Sequence, residues 1–167
     1  MRIAVLASEG APYAKSGGLG DVMEALPSAL ARIEGNEVAL ILPYYQKIKE
    51  NPSYETELVA QFQVTLGWRR QYCGLMKLKG RTDGVTVYFL DNDYYFGGRS
   101  GAIYGDGDDA ERFAYFSKAC LDAMADQLHP RCDPVQRLAV RSRARLPEGH
   151  VPRSVPQHPL HVHHPQH

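Results

Sequence analysis

Nowhere in this 167-residue chain is an apolar run long enough to cross a bilayer. Its start also lacks the charged segment, long apolar stretch and small-residue cleavage site of a secretory leader. Both absences set a cytoplasmic location with no membrane partner as the expectation. Cysteine is scarce: Cys73, Cys120 and Cys132 show no metal-ligand spacing, and an odd number argues against a disulfide framework. Cys73 and Cys120 are expected to be buried thiols. Net charge is zero, with 19 Lys and Arg against 19 Asp and Glu, but the balance conceals a division. Up to Leu128 there are 17 acidic and 13 basic residues, whereas from His129 onward six arginines face only Asp133 and Glu148. All 16 aromatic residues precede that point, while all seven histidines and seven of the eleven prolines follow it.

Two familiar phosphate-binding patterns are missing as well. No lysine followed by Ser or Thr closes a glycine loop, and there is no G-x-G-x-x-G string. What stands there instead is the apolar run Ile3-Ala4-Val5-Leu6-Ala7 and then Lys15-Ser16-Gly17-Gly18-Leu19-Gly20-Asp21. A strand ends, a glycine turn opens a helix, and a lysine stands beside the turn. Helix amino termini carry unpaired N–H groups and about half a positive charge, and glycines let a ligand approach the backbone. On composition alone, a Gly-Gly turn between strand and helix is equally a purely structural device. Asp21 has two readings, a cap for that helix or a group reaching the ligand side.

Strand-like and helix-like segments alternate through the first half, which predicts an α/β architecture with a Rossmann-like, mostly parallel sheet. Residues 2–8 read as a buried central strand, residues 20–32 as a helix bent at Pro27 with Val22, Leu26, Ala29, Leu30 and Ile33 toward the sheet, and residues 37–42 as the next strand. Strands over 59–66, 71–79 and 85–90 follow without helices between them. Asp83-Gly84 is a hairpin signal, so an antiparallel excursion is expected here. Residues 108–128 read as a helix whose inner face carries Ala110, Phe113, Phe116, Ser117, Cys120, Leu121, Met124 and Leu128, with Asp108 and Glu111 as a capping pair. Asp106, Asp108 and Asp109 lack the spacing of a calcium loop and read as a solvated cap; no metal site is assigned.

The string Ala7-Ser8-Glu9-Gly10-Ala11-Pro12-Tyr13-Ala14-Lys15-Ser16-Gly17-Gly18-Leu19-Gly20-Asp21-Val22 resembles the amino-terminal signature of bacterial glycogen synthases and plant starch synthases. Tyr104-Gly105-Asp106 with Asp109-Ala110-Glu111-Arg112-Phe113-Ala114-Tyr115-Phe116-Ser117-Lys118-Ala119 is similar to a second segment of the same enzymes. Leu42-Pro43-Tyr44-Tyr45 and Val87-Tyr88-Phe89-Leu90-Asp91 fit between them, so the likeness covers roughly residues 1–130. The resemblance implies the N-terminal half of a GT-B glycosyltransferase, in which two Rossmann-like domains face each other across a cleft. It implies transfer of glucose from ADP-glucose to the non-reducing end of an α-1,4-glucan with retention, and no cofactor. By the same resemblance Lys15 contacts the donor phosphates, the N–H groups of Gly17 and Gly18 face the pyrophosphate or sugar, and Asp21 lies beside them. Tyr94 and Tyr95 are candidate glucan contacts, with packing inside their own domain as the plainer reading. No catalytic residue is assigned, because the family's cleft histidine and second domain fall outside the matched stretch. This piece alone is therefore expected to be inactive. The enzymatic alternative is another nucleotide-sugar GT-B glycosyltransferase.

Residues 131–167 break the resemblance. Their His-rich content suggests a non-enzymatic metal-binding or interaction protein, and their arginines a nucleic-acid arm. Prolines interrupt any helix, no Cys or carboxylate completes a metal site, and no aromatic platform accompanies the arginines, so neither a metal nor a nucleic-acid partner is expected. Codons permitted for 131–146, read one nucleotide later, yield D-V-I-Q-C-N-D-W-Q-S-A-L, a family-like continuation. The expectation is thus a partial catalytic domain over 1–130 and a frame-shifted, disordered tail over 131–167, since such a composition buries too little apolar surface to fold.

Overall fold

The structure, a computed structural model, describes residues 1–128 and the backbone of 136–139. Arg2–Leu6 form β1, Gly18–Ala31 α1, Glu37–Pro43 β2 and Gln46–Lys49 a short α2. Thr56–Leu66, Arg69–Leu78 and Val85–Asp91 form β3, β4 and β5. A π-helical turn spans Asp93–Gly97, and Asp109–Asp122 make α3, which runs on through a π-helical segment over Ala123–Leu128. Gln136–Ala139 form β6.

These strands build one sheet in the order β3-β4-β5-β2-β1-β6. β1 pairs parallel with β2 (Val5 opposite Leu40), and β2 parallel with β5 (Leu40 opposite Val87). β3–β4 and β4–β5 are antiparallel, so the anticipated excursion is present at the sheet's far side. Val5, Leu40, Ile41, Leu42, Val87, Phe89 and Leu90 are fully buried, which explains why their stretches carry unbroken apolar runs rather than alternation. The tight turn of the excursion is Gly67-Trp68, where Leu66 pairs with Arg69 and Gly67 alone has positive φ (60°), the two-residue geometry that takes glycine first. Asp83-Gly84 ends a longer loop instead: Asp83 accepts from Arg81 Nε (2.8 Å) and from the Val85 N–H (3.2 Å).

Both helices bury part of the expected face, Leu26 and Leu30 on the first and Phe113, Phe116, Cys120, Met124 and Leu128 on the second, and depart from it at the margins. On α1 the buried positions are Gly20, Met23 and Pro27, with Leu19, Leu26 and Leu30 packed alongside, whereas Val22, Ala29 and Ile33 face solvent. The helix starts two residues earlier than expected, and Met23 rather than Val22 meets the core. On α3 the buried set is Arg112, Phe113, Tyr115, Phe116, Ala119 and Cys120; Ala110, Ser117 and Leu121 are exposed. Asp108 makes no side-chain cap and Glu111 does not complete one, because arginines claim both carboxylates. Cys73 and Cys120 are free and buried, as expected; burial pushes the Cys73 thiol up to about 12. At Gln136–Ala139, β6 adds a parallel edge to β1, whose ladder groups would otherwise lack partners on that side. The rest of 129–167, including Cys132 and every histidine, lies outside the described residues. Among the described residues no helix is long and apolar enough to cross a membrane.

Candidate functional site

Because β1, β2 and β5 run parallel, the loops leaving their carboxyl ends crowd one edge of the sheet, where open α/β sheets bind ligands. The loop after β1 is pinned at both ends. Ala7 N–H donates to Ile41 O (3.1 Å), Gly10 and Ala14 exchange two backbone bonds (2.7 and 2.9 Å), and Ala11 N–H donates to Gly20 O (3.0 Å). Under the turn lies Glu9, a buried carboxylate that the sequence reading passed over. Its Oε2 accepts from Ser16 N–H, from Ser16 Oγ (2.9 Å) and from Gly17 N–H (3.3 Å), while Oε1 accepts from Tyr104 Oη (3.3 Å). Tyr104 also shares a 2.6 Å bond with Ser8 Oγ, and Tyr45 Oη donates to Ser8 O at 2.6 Å. Burial raises the Tyr45 and Tyr104 hydroxyls above the ordinary tyrosine value, so both stay protonated. Glu9 is the buried acceptor around which the turn is wrapped.

Above it, Gly17 stands at the cap position and Gly18 is the first residue of α1. The three glycines of the turn serve different ends. A Cβ on Gly20 would sit 2.7 Å from Lys15 Cγ, so this glycine makes room for the lysine stem. A Cβ on Gly17 or Gly18 would meet nothing within 4 Å, and neither residue has positive φ, so no packing or backbone strain demands glycine there. What their bareness preserves is open space in front of the helix amino terminus. Gly17 N–H turns inward to Glu9, whereas the Gly18 N–H, first in the helix, has no intrahelical acceptor. Lys15 is exposed, and its Nζ lies 2.6 Å from Asp21 Oδ1. That hydrogen bond holds the Lys15 ammonium above the usual lysine value. Asp21 is the fourth helical residue and makes no cap, which corrects the capping reading. An exposed pair of this kind is weak and exchanges readily for another anion.

The loop after β5 is organised differently. Asn92 is buried; its side chain accepts from Tyr95 N–H (2.9 Å) and donates to Tyr72 O (2.8 Å), fixing the π-helical turn. Tyr95 is fully buried against Tyr115 (centroids 4.7 Å apart), and its hydroxyl donates to Glu111 (3.0 Å), so its ring has no free face. Tyr94 is 53% exposed and is the member of the pair that can meet a ligand. Arg112, 1% exposed, donates to Tyr95 O (2.8 Å), Ile103 O (3.2 Å) and Asp109 Oδ1 (2.8 Å) beneath the faces of Phe96 and Phe113. Arg99 grips Asp108 through two bonds (2.6 and 2.7 Å) and Asp106 through one (3.1 Å). The carboxylate cluster of Asp106, Asp108 and Asp109 is thus matched by two arginines. The sequence reading missed Arg99 and Arg112; the one legible hint of the latter was a charged residue inside an otherwise aromatic helix face.

The carboxyl edge of this mixed α/β sheet thus brings together an exposed lysine, an open glycine turn and a helix amino terminus. The chain belongs to the family described as the starch synthase catalytic domain, whose sequence profile matches residues 2–136. Glycogen synthases of Streptococcus pneumoniae, from strains Hungary19A-6 and CGSP14, are each 52% identical to it over 124 residues, 74% of this chain. That stretch spans only 25% of their own length. In structure the chain is similar to the catalytic domain of starch synthase IV from Arabidopsis thaliana bound to ADP and acarbose. The TM-score is 0.62 at 29% identity, covering 75% of this chain and 25% of that one.

Proposed function

We propose that this chain carries the diphosphate-binding wall of a glucosyltransferase that moves glucose from ADP-glucose onto an α-1,4-glucan. One observation carries the reading: Gly17 and Gly18 are bare where nothing in the fold needs them bare, directly in front of a helix amino terminus and beside Lys15. Lys15 meets the donor phosphates, releasing Asp21; the Gly18 N–H faces the same diphosphate; Gly17 keeps the approach open while Glu9 holds its amide. Asp21 serves as the counter-ion that keeps Lys15 extended between turnovers. The ADP in the Arabidopsis structure supports a nucleoside diphosphate as ligand, and the glycogen synthase relatives support glucose as the group transferred. Stabilising a departing diphosphate takes donors on both walls of a closed cleft, so this chain alone binds weakly and turns nothing over.

Titration of the 15N-labelled chain with ADP, UDP and GDP tests this. ADP is expected to shift the Ser16, Gly18 and Leu19 amides more than the other two do, and Lys15→Gln to move the response to about tenfold higher ADP. Equal response to all three nucleotides supports a different nucleotide-sugar transferase; no response at these amides ends the proposal. Residues 131–167 we hold to be translated out of frame, because codons permitted for 131–146, read one nucleotide later, give a family-like continuation. Sequencing the coding DNA is expected to reveal a Trp codon and a strand-like run in the neighbouring frame, and their absence refutes it.

A further inference from the structure

Trp68, the only tryptophan in the chain, sits at the tip of the β3–β4 hairpin with 86% of its surface exposed. An isolated exposed apolar side chain needs no explanation, but this one is not isolated. The Arg69 guanidinium lies 4.8 Å from the Trp68 ring centre and 5.9 Å from that of Tyr94, and Arg99 covers Tyr94 at 5.6 Å. The array is held from below. Arg69 pairs with Glu111 (3.2 Å) and reaches Tyr94 Oη (3.4 Å), Arg99 Nε donates to Tyr94 O (2.8 Å), and Tyr94 packs edge-on against the buried Tyr95 (4.9 Å).

The charges of this patch are already spent on one another. Glu111 answers Arg69, and Asp106 and Asp108 answer Arg99, so the two guanidinium groups that meet the rings are each matched by a carboxylate. What remains is the anchored Tyr94 ring and the exposed Trp68 ring, with the Arg69 guanidinium 5.9 and 4.8 Å from their centres. That combination suits a neutral ligand with flat C–H faces and many hydroxyls, which is the chemistry of a sugar chain. β4 is antiparallel to β5, so the hairpin tip projects from the same sheet edge as the glycine turn. Three inter-strand steps, roughly 14 Å, separate β4 from β1. We propose that Trp68, Arg69 and Tyr94 form an α-glucan grip that holds the acceptor polymer away from the transfer point. The choice of an α-glucan among neutral sugars rests on the proposed function.

Because Trp68 is the only tryptophan, its fluorescence reads the site directly and needs no turnover. Maltohexaose added to the intact chain is expected to shift the emission to shorter wavelength and to saturate, with cellohexaose and pyrophosphate leaving it unchanged. Tyr94→Ala weakens the response about 3- to 10-fold, and Trp68→Ala abolishes retardation in a glycogen-containing native gel. No emission change up to about 10 mM maltohexaose, or an equal change with cellohexaose or pyrophosphate, overturns the proposal. An emission shift that follows protein concentration without sugar, matched by dimer in sedimentation, assigns the patch to a second copy and also overturns it. A Trp68 response to maltohexaose without any ADP response at Ser16–Leu19 would leave the grip standing and remove the donor site; the converse pattern removes the grip alone.

Discussion

The glycine turn and the aspartate-rich loop before α3 occupy the same sheet edge and are built from similar residue types, yet they dispose of their charges in opposite ways. Around α3, Arg99 and Arg112 face Asp106, Asp108 and Asp109, and Arg112 is sealed among aromatic rings. At the turn, Glu9 is sealed by amides and hydroxyls, while Lys15 stands in water with one exposed partner. Charge that is closed in on itself sets shape; charge left on a flexible stem at an open edge is available to a ligand. The difference is testable, because it assigns stability to one region and binding to the other.

The largest effect is expected at Arg112. Arg112→Leu leaves the Tyr95 and Ile103 carbonyls without this donor and takes the cation from Asp109, and leaving buried acceptors unsatisfied costs about 1–3 kcal/mol. Urea unfolding should reveal that loss, whereas Lys15→Gln should leave the midpoint unmoved and weaken ADP binding about tenfold. If Lys15→Gln unfolds the chain while Arg112→Leu does not, the division between the two regions is false.

A smaller pair of substitutions sharpens the comparison inside the turn itself. Gly18→Ala places a methyl in open space, adds helix propensity of up to about 1 kcal/mol, and obstructs the ligand. Gly20→Ala drives its methyl into the Lys15 stem, so overpacking of about 1–3 kcal/mol offsets the propensity gain. Gly18→Ala is therefore expected to melt no lower than the parent and bind ADP less well, while Gly20→Ala loses both. Equal melting of the two variants would mean that the glycines are interchangeable.

Much of this was legible in the residues, and what was not has a common cause. Unbroken apolar runs gave away β1, β2 and β5, and the glycine string marked the start of α1. The inward faces of α1 and α3 were legible in Leu26, Leu30, Phe113, Phe116, Cys120 and Met124, but their margins were not: periodicity scores Val22 and Met23 alike, and only packing near Leu42 and Gly10 selects Met23. Glu9 and Arg112 escaped for a stronger reason. A charged residue in an amphipathic pattern reads as solvent-facing, and the partners that permit its burial lie as far as 95 residues away or are backbone groups, which composition does not reveal. Even Asp108, placed correctly at the start of its helix, serves Arg99 rather than the helix end.

The smallest expected effect separates the two regions by pH. Arg99 holds the Asp108 carboxyl below the usual carboxylate range, so this group's contribution to stability is complete above the unfolded value of about 3.9 and is lost as pH falls through the lower folded value. Lys15 behaves in the opposite sense. Its ammonium is raised by Asp21, so that contribution is complete below the unfolded lysine value of about 10.4 and is lost as pH rises through the higher folded one. Acid should therefore loosen the loop before α3 first and alkali the glycine turn first, each by a small fraction of the total stability because both pairs are solvent-screened. Amide shifts of Gly105 and Asp106, whose N–H groups rest on Asp109, report the acid end, and those of Ser16 to Leu19 the alkaline end. Should both sets move together at one end of the range, the two regions share a single electrostatic network and their contrast disappears.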